Sequence, residues 1–179
     1  MQRRRLRSNT ERAAKLPSTP EEMRARAFQR AVKLLAAKPR SIAELRERLL
    51  ERGSSEAIVE TVIGRLREYG YLDDERYALG YASAKVRQQP IGRRRLQQSL
   101  QMKKVDRVVA DEVLDQVFAE TSEEELIDRA VEKRVRLHGR PKTRAESKSL
   151  FDHLLRQGFP FELVSEKVRS VLRNGTIDE

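Results

Sequence analysis

Side chains suited to proton transfer or metal binding are few in this sequence. His138 and His153 are its two histidines, cysteine is absent, and neither histidine belongs to a paired helical ligand motif of the HExxH kind. His153 stands among Phe151, Leu154 and Leu155, the setting of a partly buried packing histidine. His138 stands in His138-Gly139-Arg140-Pro141, the signature of a helix terminus rather than of a base. Asp73-Asp74 offers oxygen donors for a divalent cation, but with Glu75 beside it at a helix start it is better explained as an N-cap that complements the helix dipole. The glycines are scattered, and no GxxxxGK[ST] or GxGxxG loop is present to cradle phosphate. The sequence predicts a chain that catalyses nothing and takes neither metal nor cofactor.

Charge is more informative. The formal net charge is +10, which points to a polyanionic partner: nucleic acid, an anionic membrane or an acidic protein. From Ala78 to Val105 there is no acidic residue, while Lys85, Arg87, Arg93, Arg94, Arg95, Lys103 and Lys104 all fall in that window. Elsewhere the signs alternate closely, as in Glu44-Leu45-Arg46-Glu47-Arg48, where i,i+3 and i,i+4 pairs neutralise one another. Leu96 and Leu100 fix the inward side of one helix in the window, so Arg93, Arg94, Gln97, Gln98 and Gln101 are expected to project outward. Arginine and glutamine reach phosphates as well as the carboxylates and carbonyls of a protein. Lys85, Arg87, Arg93, Arg94, Arg95, Gln98, Lys103 and Lys104 are therefore the candidate contact residues. Like charges this dense oppose folding unless a partner uses them. Tyr69, Tyr71, Tyr77 and Tyr81 cluster just upstream; they suit stacking on bases of a single strand or packing between units, and the i,i+4 spacing of Tyr77 and Tyr81 favours packing.

The elements that must position these residues are helices. Thr19-Pro20-Glu21-Glu22 sets an N-cap, a first-turn proline and a capping-box glutamate in register. Ser41-x-x-Glu44, Ser122-x-x-Glu125 and Thr143-x-x-Glu146 repeat the device, and Gly53, Gly70 and Gly158 fall where apolar stripes end. Strand signals are missing. The pattern predicts nine helices, over about 20–37, 41–52, 55–69, 73–88, 91–103, 105–119, 122–137, 143–157 and 160–173.

These helices form three sets of three that resemble one another. A shift of about 51 positions carries Pro39 to Pro90, Leu45 to Leu96, Leu49 to Leu100 and Val62 to Val113. A shift of about 105 carries Leu45 to Leu150, Leu49 to Leu154, Gly53 to Gly158 and Ile63 to Val168. The expected fold is all-α: three tandem three-helix repeats, at 19–70, 71–120 and 121–174, in an elongated, curved array. Residues 1–18, with six basic side chains and few apolar ones, are expected to be a disordered basic arm, and 175–179 a tail. Without an apolar run near the ~20 residues that span a bilayer, and without an apolar segment after the arginine-rich start, neither membrane insertion nor secretion is expected. The absence of cysteine fits a cytoplasmic location.

Tyr69-Gly70-Tyr71-Leu72-Asp73-Asp74-Glu75-Arg76-Tyr77-Ala78 resembles the hallmark segment of the RecX regulatory proteins. As in that family, a basic helix and a Gly-x-x-[Arg/Lys]-[Ile/Leu] segment follow, here Gly92 to Leu96, and Arg40-Ser41-Ile42-Ala43-Glu44-Leu45 resembles the family's start of its second helix. The likeness runs from about Ala25 to Leu172. It implies three tandem three-helix units and a cytoplasmic regulator lying in the groove of the RecA–DNA filament; the chain is expected to be a monomer. There it would inhibit strand exchange, ATP hydrolysis and the coprotease role of RecA, with weak direct binding to DNA and no catalytic residue of its own. Where many relatives carry Gly-Ile after the basic helix, this chain has Met102-Lys103-Lys104-Val105. The alternative is a free-standing basic helical DNA-binding protein.

Overall fold

The computed structural model describes residues 19–173; the expected basic arm at 1–18 and the tail at 175–179 lie outside them. Among the described residues every regular element is helical: α1 (Pro20–Ala37), α2 (Ile42–Glu51), α3 (Glu56–Glu68), α4 (Asp74–Gln88), α5 (Arg93–Met102), α6 (Arg107–Glu120), α7 (Glu123–His138), α8 (Arg144–Arg156) and α9 (Phe161–Arg173).

The caps expected from sequence form. Thr19 and Thr143 each close a full capping box, their side chains accepting from Glu22 and Glu146 backbone N–H while those glutamates reach back. Ser41 and Ser122 cap α2 and α7 through one arm of the device, accepting from the N–H of Glu44 and Glu125. Glu44 does not return to its own cap because its carboxylate is drawn to Lys103, in the next unit. Gly53, Gly70 and Gly158 all end their helices at positive φ (80°, 69° and 91°). Lys104 takes the same left-handed conformation at φ 57°, alone among the described non-glycine residues.

The most extensive helix–helix packing lies within α1–α2–α3, α4–α5–α6 and α7–α8–α9. The repeat is physical as well as sequential: Leu45, Leu96 and Leu150 are buried, as are Leu49, Leu100 and Leu154, and Ile63, Leu114 and Val168. Burying one such leucine contributes about 1.5–3 kcal/mol, so these positions hold each unit closed. The fold is all-α and built of tandem repeats.

The two joints differ in kind. The first unit keeps its own core, centred on Leu45, Leu49, Val59 and Leu66. It meets the second through polar contacts: Ser41 Oγ donates to the Lys103 carbonyl at 2.5 Å, and the Ile42 N–H donates to Asp74 Oδ1 at 2.8 Å. The second and third units instead share one continuous core running from Ala78 to Val168. Their backbones also touch: Gly92 N–H donates to the Gln157 carbonyl at 2.9 Å, and a Cβ on Gly92 would collide with backbone atoms of Gly158 and Phe159.

Candidate functional site

The acid-free window folds into α4, α5 and the turn after it, and its cations have distinct fates. Arg93 is not projected outward. Its Nη2 pairs with Asp115 at 2.7 Å, and its backbone N–H donates to Glu123 at 2.8 Å. Gln97 likewise turns to α6, donating to Asp111 at 2.6 Å. Arg95 reaches the third unit, its Nη1 donating to the Arg156 carbonyl at 3.2 Å and to Gln157 Oε1 at 2.8 Å. Lys103 and Lys104 reach back to the first unit, pairing with Glu44 at 3.4 Å and Glu47 at 2.7 Å. The hydrogen bond from Lys104 is the largest influence holding the Glu47 carboxyl below its ordinary range. Part of the positive charge of the window is thus met by acids 22 to 59 residues away in the chain, Asp115, Glu44 and Glu47. No local window of sequence displays such pairings.

What remains open to solvent is narrower. Arg94, Gln98 and Gln101 stand i, i+4, i+7 along the side of α5 opposite the buried Leu96 and Leu100, and all three are exposed. Arg87 is exposed near the end of α4, where Lys85 lies 5.7 Å from the Tyr81 ring centroid. None of Arg87, Arg94 and Gln98 has a side-chain hydrogen bond or ion pair among the described residues.

The residues weighed for catalysis stand apart. Asp73 caps α4 by accepting from the Arg76 N–H at 3.0 Å, and Asp74 accepts from Ile42. Burial is the chief cause pushing the Asp74 carboxyl above its ordinary range. His138 contacts Arg134 at 2.8 Å. His153 is half-buried in α8, and burial first, then the charges of Arg134, Arg156 and Arg95, depress its pKa. Among the described residues no group of three or more His, Cys, Asp or Glu side chains could hold a metal ion, and no helix is long and apolar enough to cross a membrane.

The tyrosines divide as well. Tyr77 and Tyr81 stack along α4 with ring centroids 6.3 Å apart, half-buried beside the joint with the first unit. Burial pushes the Tyr77 hydroxyl up to about 12. Tyr69 and Tyr71 are 55% and 62% exposed, so packing between units does not account for them.

Residues 27–66 match the family model for the first three-helix domain of RecX, and residues 73–114 match that for the second. A regulatory protein RecX of Amycolatopsis mediterranei is 31% identical over 160 residues, covering 89% of this chain and 90% of that protein. The chain belongs to the RecX family. A RecX of Chlorobium limicola is 31% identical over 146 residues, 81% of this chain and 89% of its own length. Against the RecX of Treponema pallidum the identity is 37% over 103 residues, and the match spans 63% of that protein's length. Among solved structures, RecX from Lactobacillus salivarius superposes with a TM-score of 0.75 at 17% identity, over 84% of this chain and 97% of that one. A second RecX crystal structure gives 0.72 at 23% identity, over 84% and 73%. These relatives are regulatory proteins, and the two solved structures share the fold.

Proposed function

We propose that this chain binds the RecA–DNA filament and restrains it, lowering recombinase, ATPase and coprotease activity. The observation that carries the reading is the open stripe of Arg94, Gln98 and Gln101 with Arg87 near by, displayed from the middle unit of a tandem array. A row of small units joined end to end suits contact along a repeating partner better than enclosure of a small substrate. Arg87, Arg94 and Gln98, with Lys85, are the first contacts to the acidic protein surface or the bound strand. Arg93, Arg95, Lys103 and Lys104, engaged within the array, contribute charge only at the edges of this surface.

The test is the salt dependence of binding to RecA filaments on single-stranded DNA. Arg87→Glu combined with Arg94→Glu is expected to weaken binding and to flatten the logarithmic salt slope by about two, if each makes one phosphate-type contact. Unchanged affinity in a folded double variant would remove the stripe from the interface.

A further inference from the structure

A groove of about 800 Å³ runs between the first and second units. Its floor is the outward side of α4, where Tyr77, Gly80, Tyr81 and Lys85 follow at helical spacing. Tyr71 stands at the rim, and Lys38 and Arg40, from the link between α1 and α2, form the facing wall.

Three features of the groove remain unexplained by the fold. Its cations outnumber its acids: Lys38, Arg40, Arg76 and Lys85 line it, together with Lys103, which is paired with Glu44, against Asp73, whose carboxylate is taken up as the cap of α4. The Nε of Arg40 and the Oε2 of Glu44, whose charges both act on Tyr77, are buried without a hydrogen-bond partner among the described residues, so polar capacity at this wall is left unused. Gly80 sits inside α4, where glycine weakens a helix, although a Cβ there would meet nothing within 4 Å. Neither internal packing nor a special φ requires glycine at this position. Its effect is to leave the helix backbone bare between Tyr77 and Tyr81, so that a flat group can lie against it.

We infer that the groove between the first two units is a nucleotide subsite, in which a base of a single strand stacks against Tyr71, Tyr77 and Tyr81 while its phosphate meets Arg40 and Arg76. Planar rings beside guanidinium groups favour a nucleotide over an acidic peptide, because carboxylates would use the cations and leave three tyrosines idle. The groove is open rather than closed over, as passage of a continuous strand demands. Arg76 is already oriented, its Nη2 donating to the Gly70 carbonyl at 2.7 Å.

The chain has four tyrosines and no tryptophan, so its intrinsic emission comes from Tyr69, Tyr71, Tyr77 and Tyr81, three of which line the groove. The basic segment 1–18 contains no tyrosine, and charge binding there is silent in this signal. The experiment titrates the full chain, without RecA, with oligothymidylate, with an abasic oligonucleotide of equal length and with polyglutamate. It therefore succeeds or fails separately from the filament reading. Oligothymidylate is expected to quench tyrosine emission and to bind about tenfold more tightly than the abasic strand, the weight of one stacked base. Gly80→Gln, which fills the floor with a good helix former, is expected to weaken oligothymidylate binding about tenfold while leaving the melting temperature unchanged or higher. Arg40→Gln is expected to weaken both strands. Equal binding of the two strands, or unchanged affinity in Gly80→Gln, would overturn the inference. So would polyglutamate quenching at lower concentration than oligothymidylate, which would assign the groove to an acidic peptide.

Discussion

Ser41 is the one buried polar residue of the described chain, with 0% exposure, and removing its hydroxyl tests how the first joint is held. The hydroxyl acts twice: Oγ accepts from the Glu44 N–H at 3.1 Å, capping α2, and donates to the Lys103 carbonyl at 2.5 Å. Loss of a serine cap costs about 1 kcal/mol. A buried carbonyl left without its donor adds about 1–3 kcal/mol. Ser41→Ala is thus expected to lose about 3 kcal/mol, which for a chain of this size lowers the melting temperature by roughly 6–12 °C. Ser122→Ala is the control, because Ser122 caps α7 with a longer bond, 3.5 Å, and joins no second unit. Its cost should stay near 1 kcal/mol or below. Thermal unfolding followed by circular dichroism, with amide exchange at Lys103 and Lys104, reads both. A Ser41→Ala loss no greater than that of Ser122→Ala would refute the idea that this hydroxyl ties two units together.

Gly92→Ala is expected to cost about 1–3 kcal/mol, since its Cβ would meet the backbone of Gly158 and Phe159 rather than a movable side chain; denaturant titration beside Gly80→Ala, which should gain stability, checks it. At Lys104 (φ 57°) a glycine should relieve about 1 kcal/mol of left-handed strain. Lys104→Gly is therefore expected to be more stable than Lys104→Ala by that amount, both having lost the Glu47 pair, and equal stabilities would contradict the strain. His153 carries a depressed pKa in the folded chain, so the unfolded chain takes up its proton first. The associated stability is present above the ordinary histidine pKa of about 6.5 and is lost as the pH falls below it. In unfolding titrations from pH 7 to pH 5, His153→Gln should flatten that decline, and an unaltered profile would count against it.

The local rules of helix formation made most of the fold legible. Thr19, Ser41, Ser122 and Thr143 announce their helices by side chains that bond three residues ahead, a relation that needs no tertiary knowledge. Leu45, Leu96 and Leu150 reveal the repeat because each unit buries the same position. The surface was less legible. Arg95 meets Gln157 and Lys104 meets Glu47 across about sixty residues, and such pairs follow from how units stack rather than from any local pattern. A run of like charge therefore overstated what is free for a partner. The groove was hidden for the same reason: Arg40 and Tyr81 become neighbours only once the first two units are joined.

The central claim is that this chain restrains RecA. ATP hydrolysis by RecA on single-stranded DNA, titrated with the protein, measures that most directly. Strong suppression at amounts well below one copy per RecA, retained by Arg93→Ala and reduced by Arg87→Glu with Arg94→Glu, is the predicted result. Undiminished hydrolysis in the presence of excess folded protein would contradict it.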